Sequence, residues 1–409
     1  MNLYFKLAWR NIWRHRRRTV IIALAMGLSL GMMMWYDGLM DGFNDAIAGN
    51  AVRVLGGNVQ VHAEGYREKV DSNPLLPLAD DSAIINAALA QPDVIAAARR
   101  IQTGGLVSNS EGAFSLNIIG IEPEAEAPVS LIAEHVVEGR YLDAADEDAI
   151  LIGRGLADAL ALDIGDRITM VGSDVHKQNR QRTMTVIGIY DIGIPSMEKA
   201  TLYISLAEAQ SLFNLNGQST EVQITLKKVG TEANVVAALS SALPGYEVES
   251  WANNYPELGN AVGRKNIVMD IFSVIIVAIA GIGILNLLMM AIYERTREIG
   301  LLGAMGLKPG EIATTFILEG ALIGVVGVLV GVAMGLSINI SLMQVGMDYS
   351  QFAGITDYMA LISGRIYPTL GVSKLFTRAT IMLVIAALAA LVPAMIASRR
   401  EPSEALHHV

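Results

Sequence analysis

A helix that spans a bilayer needs about 20 predominantly apolar residues, and four stretches approach that length: Thr19 to Tyr36, Ile271 to Ile292, Gly320 to Leu336 with apolar flanks, and Ala379 to Ser398. No other stretch qualifies. Composition agrees, because hydrophobic residues fill 52% of 409 positions and charged residues only 17%, both outside the usual ranges for a soluble globular protein. The fold class expected is a membrane protein with four transmembrane α-helices. The first run follows eighteen residues that include a basic segment. No small-residue cleavage pattern comes after it, and Trp35 and Tyr36 suit a membrane interface, so it reads as an anchor that is kept.

Residues 1 to 18 carry Lys6, Arg10, Arg14, Arg16, Arg17 and Arg18 with no acid, which places the N-terminus in the cytoplasm by the positive-inside rule. Four spans return the C-terminus there, beside Arg399 and Arg400. The organisation expected is a cytoplasmic amphipathic helix at 1–18, transmembrane helices at 19–40, 267–292, 312–343 and 377–398, an extracytoplasmic domain at 41–266, a cytoplasmic loop at 293–311, an extracytoplasmic loop at 344–376 and a cytoplasmic tail at 399–409. Lys6, Arg10, Arg14 and Arg18 recur every four residues, opposite Trp9 and Trp13. Such a segment reads either as a helix on the inner leaflet, in contact with membrane lipid, or simply as a topology signal.

Residues 41 to 266 hold thirty acids and sixteen bases, whereas the remainder is net positive. This is a translocated, acidic, separately folding domain. It has no cysteine, and at about 225 residues it can bury a core without disulfides. Short stretches rich in Val, Ile and Thr predict strands at Asn58–His62, Phe114–Gly120, Asp166–Val171, Thr183–Ile189, Ala200–Ile204 and Thr220–Leu226. Helical periodicity predicts helices at Asp81–Ala90, Gly155–Leu162, Ser205–Phe213 with Ser205 as N-cap, and Thr231–Leu243. An α+β domain of two lobes is expected, one of them an insertion around residues 105 to 215.

Catalytic motifs are missing. The sequence has no G-x-x-x-x-G-K-[ST] phosphate loop, no H-E-x-x-H and no G-x-S-x-G, and its histidines are scattered apart from His407 and His408. No catalytic or metal residue is assigned. The cluster Asp143, Asp146, Glu147 and Asp148 lacks the glycine and ligand spacing of an EF-hand and reads as a solvated loop. The acidity also argues against nucleic acid as a partner.

In the third apolar run Gly320, Gly324, Gly327, Gly331 and Gly335 recur mostly at four-residue spacing, which lets helices approach closely within the subunit or across a dimer. Glu319 would be costly there unless protonated, paired or near the surface. A proton or ion site is the sharper alternative. Asp270 reads as ordinary interface placement. Between the second and third runs, Glu294, Arg295, Arg297 and Glu298 can pair at i,i+3 and i,i+4, while Ile299, Leu302 and Met305 form an apolar stripe. Such a segment is either a short docking helix or a solvated turn that obeys topology.

ERTREIG, followed by A-x-G at Ala304–Gly306 and preceded by Asn286, resembles the coupling-loop signature of the MacB, FtsX and LolC/LolE superfamily (type VII) of ABC-transporter permeases. The opening LAWRNIWRHRRRT and the C-terminal ALAALVPAMIASRREPSEAL, with Pro393 and Pro402, resemble the ends of the same family. The resemblance implies a non-catalytic permease subunit in the cytoplasmic (inner) membrane, with a MacB-like periplasmic domain. It implies a separate cytoplasmic ATPase in two copies that binds ATP and Mg, and a second permease chain, as a homodimer or related heterodimer. A periplasmic carrier or adaptor is also implied.

On this resemblance the ATPase-coupling residues are Glu294, Arg295, Arg297, Glu298, Ile299, Gly300, Leu302, Met305 and Gly306. Those for transmembrane packing are Asn286, Glu319, Gly320, Gly324, Gly327, Gly331 and Pro393. MacB carries its ATPase in the same chain, which these residues do not, and Gly303 stands where the family commonly has Arg or Lys. Lipoprotein or lipid extraction by mechanotransmission is the function expected first. An FtsX-like regulator of a cell-wall hydrolase and a MacB-like efflux permease are the alternatives within the family, and a membrane-anchored receptor or enzyme without an ATPase is the one outside it. The large domain exceeds what FtsX-like examples generally carry, which favours transport.

Overall fold

The structure is a computed structural model, and it describes residues 2–72, 74–293, 301, 304–348 and 365–398. It divides into two compact units. One is built from Met1–Asn44, Val262–Asp348 and the chain from Arg365 onward, the other from Asp45–Ala261. In chain order the elements are α1 (Asn2–Arg14), α2 (Arg16–Leu55), β1 (Val59–Ala63), α3 (Asp81–Leu89), β2 (Val94–Ser108), β3 (Ala113–Ile121), α4 (Pro123–Glu126), α5 (Leu131–Glu134), β4 (Val136–Gly139) and β5 (Ala149–Gly153). There follow α6 (Arg154–Leu160), β6 (Arg167–Ser173), β7 (Asn179–Tyr190), α7 (Pro195–Ala200), β8 (Thr201–Ser205), α8 (Leu206–Phe213), β9 (Glu221–Leu226), α9 (Glu232–Ala242), β10 (Tyr246–Ser250) and α10 (Trp251–Asn254). The last are α11 (Pro256–Tyr293), α12 (Pro309–Val345), β11 (Met347–Asp348), β12 (Arg365–Ile366) and α13 (Leu375–Ser398).

Among the described residues three helices are long and apolar enough to cross a membrane: α2, α11 over Asp270–Leu287, and α12. The last helix, α13, contributes a shorter apolar stretch, Leu375–Leu391. The first long helix continues for 40 residues, well past the end of the apolar run at Tyr36. Asp37, Asp41 and Asp45 end the hydropathy signal without ending the helix, because hydropathy reports the solvent a segment prefers, whereas helix persistence depends on propensity and packing.

In the Asp45–Ala261 unit all ten strands belong to one sheet, and six of them form a closed ring. In order, β2, β3, β8, β5, β7 and β6 each pair with two neighbours, and β6 pairs back onto β2. Only β3 with β8 and β5 with β7 run parallel. From the N-terminal half of β2 the sheet continues through β9 and β1 to β10, all antiparallel. A 15-residue strand can serve both parts because its two halves carry different partners. Ring closure leaves these six strands without a free edge along much of their length.

Residues two apart point to one face of a strand, and they fill the ring: Leu116 and Ile118, Ile150 and Ile152, Ile168 and Met170, Met184 and Val186, Leu202 and Ile204. Leu156 and Leu160 of α6 and Leu212 and Phe213 of α8 join that cluster. A second cluster is made by Val59, Val61, Val222, Ile224 and Val248 of the open strands, with Ile84 of α3 and Val235 and Leu239 of α9. One continuous sheet therefore supports two hydrophobic cores.

The six predicted strands are all present as β1, β3, β6, β7, β8 and β9, with β7 starting four residues earlier than expected. The four predicted helices are α3, α6, α8 and α9. Ser205 Oγ accepts from Glu208 N at 3.2 Å, the cap expected for α8. Asp80 caps α3 in the same way, accepting from Ala83 N at 2.9 Å. Thr231 does not cap α9; its hydroxyl donates to Lys228 O, and Glu232 takes up Gly230 N at 2.7 Å.

Where ring and open sheet meet, β2 buries Arg100 with 2% of its surface exposed. Its guanidinium grips both carboxylate oxygens of the equally buried Glu126, with Nε at 2.9 Å. Burial alone would lower its pKa, but the charge and hydrogen bond of Glu126 outweigh that and hold it above the ordinary value. Tyr255 is pushed up to about 12, first by burial and then by the charge of Glu221, so its phenol stays neutral. Glu221 itself pairs with His62 at 3.2 Å.

Candidate functional site

Gly320, Gly324, Gly327, Gly331 and Gly335 are buried on α12 and face two helices of the same chain. A Cβ on Gly320 would lie 2.6 Å from Ala390 Cβ of α13, and one on Gly324 3.1 Å from Ala386 Cβ. Further along, Gly327, Gly331 and Gly335 would each meet α2, at 2.7 Å from the Cβ of Met26, Leu30 and Met34. The contact is reciprocal. On α2, Gly27 would place a Cβ 2.7 Å from Val330 and Gly31 one 3.2 Å from Met334. The glycines of α2 were not singled out in the sequence, because a spacing of four seen twice is too short a pattern to notice.

Such contacts cannot absorb a side chain without moving a helix, and overpacking costs roughly 1–3 kcal/mol or more. Gly331→Leu is therefore expected to lower the melting temperature of the detergent-solubilised chain, whereas Gly283→Leu on α11, where nothing lies within 4 Å, is expected to leave it unchanged. Equal melting of both variants would count against tight α2–α12 packing.

At the N-terminus α1 lies along the start of α12. Tyr4 OH donates to Glu311 Oε1 at 2.7 Å, and Asn11 Nδ2 donates to Glu319 Oε2 at 3.3 Å. Glu319 is thus hydrogen-bonded, ten residues after the start of a helix that begins earlier than the sequence suggested. Ala8 and Ile12 are the buried side of α1. The expectation that Trp9 and Trp13 oppose the basic stripe is corrected: both are exposed, edge to face at 6.4 Å, on the same open side as Lys6, Arg10 and Arg14. At 3.6 residues per turn, about 100° per residue, Trp9 lies about 60° from Lys6, and Trp13 about 20° from Lys6 and about 60° from Arg10, so the tryptophans flank the basic stripe and do not oppose it.

Of the expected coupling residues, Glu294, Arg295, Arg297, Glu298, Ile299, Gly300 and Leu302 lie outside the described residues. Leu301 and Met305 are exposed, Met305 at 70%, and Gly306 has φ +96°, a turn conformation that suits glycine. Apolar side chains left uncovered beside a turn are what a docking segment presents. Asn286 is exposed on α11, and Pro393 lies within α13. Asp270 is not isolated: Lys374 Nζ lies 2.5 Å from its Oδ1.

In the acidic unit, Asp146 of the 143–148 cluster is already engaged by its neighbours. Asp146 receives Arg140 at 2.6 and 2.8 Å and Asp143 N at 2.8 Å, contacts that hold its carboxyl below the usual range, the Arg140 hydrogen bond most of all. Beside it Arg182 binds Glu208, with Asp148 3.8 Å away, along a polar groove of about 750 Å³.

Comparison with known proteins decides the family. The MacB-like periplasmic core domain matches residues 19–242, more than half of the chain, and the FtsX-like permease C-terminal domain matches residues 271–402. The chain belongs to the MacB/FtsX/LolC–LolE superfamily of ABC-transporter permeases. It is 23% identical over 408 residues to the lipoprotein-releasing system transmembrane protein LolC of Neisseria meningitidis serogroup B, covering 95% of this chain and 94% of that one. It is also 23% identical over 427 residues to LolE of Haemophilus influenzae, covering 99% of each. Among solved structures, the periplasmic region of MacB from Actinobacillus actinomycetemcomitans matches 52% of this chain and 98% of its own length, at 13% identity and a TM-score of 0.35. In this family the acidic unit is the periplasmic domain, and the apolar helices are those of a membrane permease.

Proposed function

We propose that this permease is the transmembrane subunit of an ABC transporter that extracts lipoproteins or lipids from the outer leaflet of the inner membrane. Its four spans keep both termini cytoplasmic, and two copies of a separate cytoplasmic ATPase bind ATP and Mg and engage residues 294–306. A second permease chain, identical or related, completes the membrane part. Nucleotide-driven closure is passed through the spans to the periplasmic domains, which hand the substrate to a periplasmic carrier. The observation that carries this reading is the length of the likeness to LolC and LolE, which takes in membrane helices and periplasmic domain together over at least 94% of each relative. The match to a MacB-like core domain supports the alternative of efflux through a periplasmic adaptor.

The test is purification in mild detergent from native membranes, with identification of every co-purifying chain, followed by reconstitution in vesicles with an acylated protein. Co-purification of an ATPase and ATP-dependent appearance of the acylated protein in the soluble fraction are expected. An adaptor in place of a carrier, with no release of acylated protein, would replace extraction by efflux. A cell-wall hydrolase as the sole periplasmic partner would replace transport by regulation.

A further inference from the structure

The apolar run of α2 ends in a set of polar contacts that none of the functional assignments above uses. Asp37, the first acid after that run, is 5% exposed, and Arg378, in the first turn of α13, is 7% exposed. The Arg378 Nε and Nη2 donate to the two carboxylate oxygens of Asp37, each at 3.2 Å. One turn further along α2, Asp41 accepts from Ser373 Oγ at 2.6 Å. The chain leading into α13 also lies against the α2 backbone: Thr369 N donates to Gly38 O at 2.8 Å. A Cβ on Gly38 would be 2.5 Å from Thr369 O, and one on Gly42 2.5 Å from Tyr367 O. From α12 the wholly buried Asn339 donates through Nδ2 to Met34 O at 3.0 Å and to Leu370 O at 2.9 Å.

A buried ion pair adds little net stability over well-packed apolar side chains of the same volume. What a two-point guanidinium–carboxylate contact does supply is a single favoured geometry. We infer that Asp37 and Arg378 are positioning residues that hold α2, the segment 367–374 and α13 as one body, so that displacement of α13 is delivered to α2 without slip. The use made of that displacement rests on the ATP-driven reading proposed above. The contrast is α11, whose Ile271, Val274, Ile279 and Ile282 are all more than half exposed and whose exposed Lys374–Asp270 pair reaches this set. It also makes apolar contacts: a Cβ on Gly281 would lie 3.0 Å from Ile385 of α13, and Leu285 and Leu287 pack against the cluster of Met26 and Met382. Exposed pairs constrain little, and apolar contacts lack the fixed geometry of a two-point ion pair, so relative motion falls between α11 and the clasped helices.

Because the sequence has no cysteine, spin labels can be placed in pairs without removing any native thiol. Leu28 on α2 and Leu388 on α13 are exposed and lie nine and ten residues from the ion pair; Ile279 reports on α11. In the full chain with its ATPase in nanodiscs, the Leu28–Leu388 distance is expected to stay the same with and without ATP, Mg and vanadate, while Leu28–Ile279 shifts. Asp37→Asn is expected to broaden the Leu28–Leu388 distribution. The decisive variant is Asp37→Leu with Arg378→Met, which leaves no unpaired charge and so folds even where the single change does not. It is expected to match the parent in yield and melting, yet to keep the broadened distribution. A parental Leu28–Leu388 distribution in the double variant, or a nucleotide-dependent shift of that pair in the parent, overturns the clasp. If neither pair responds to nucleotide, the ATP-driven reading falls, and the nucleotide-free comparison of parent and double variant still decides the clasp.

Discussion

Replacing Glu126 with Ala should destabilise the periplasmic domain by about 3–5 kcal/mol, the size expected when one partner of a buried ion pair is removed and the other charge stays behind. Arg100 is 2% exposed at the point where β2 leaves the ring and enters the open sheet, and Glu126 engages its Nε and Nη2. Without that carboxylate a guanidinium held charged at any accessible pH has no way to neutralise itself. The loss should appear as faster amide hydrogen exchange across β2, β3 and β9 in the full-length protein, about 100-fold or more for amides that exchange through opening of the whole domain. Slow exchange in α12 should be untouched. Arg100→Met with Glu126→Leu should recover most of the protection, because two apolar groups of similar size carry no desolvation penalty. Parental exchange in Glu126→Ala would mean that the pair is not buried in the folded domain.

The same residue shows where the sequence could and could not be read. The strands found in advance are those whose own residues declare them: in Thr220–Leu226 and Thr183–Ile189, β-branched side chains alternate and glycine or polar residues mark the ends. The strand β2, VIAAARRIQTGGLVS, is rich in alanine, carries two adjacent arginines and holds a glycine pair. Its local signal is poor. What makes it the longest strand among the described residues is the partner at Glu126 for Arg100, the partner at Glu122 for Arg99, the hairpin with β3 and the pairing with the distant β9, none of which its own residues declare. β5 was missed for a different reason: AILIG is five residues of uninterrupted apolar character, which periodicity cannot assign.

The candidate site divides in the same way. The glycine face of α12 was legible because five residues on one helix repeat a spacing, and the charged island was legible because it interrupts apolar sequence. Asp37 and Arg378 were not, since 341 positions separate two residues that each look like an ordinary interface charge. Composition reports that a charge sits near the end of an apolar run. It does not report which other charge it meets.

Reversing Glu294 and Glu298 to Lys should separate the permease from its ATPase while leaving the chain folded. These two acids belong to the densest charged segment between the second and third apolar runs, and the sequence shows no G-x-x-x-x-G-K-[ST] phosphate loop. Leu301 and Met305, just beyond them, expose apolar surface beside the turn at Gly306. Charges that flank the apolar runs without interrupting them contribute little to insertion, so membrane yield and melting should match the parent. At a docked surface the outcome differs, because like charges brought together cost several kcal/mol, and each 1.4 kcal/mol is tenfold in affinity. ATPase binding should weaken about 100-fold or more, read as loss of co-purification and of any ATPase stimulation by the permease. The control must avoid acids that hold the periplasmic domain together, which rules out Asp146 because Arg140 and Asp143 N are bound to it. Glu111 and Glu124 are exposed, and their reversal to Lys should leave ATPase binding intact. If the Glu294 and Glu298 reversal binds the ATPase as tightly as the parent does, the segment is a linker between two spans and the drive must enter the permease elsewhere.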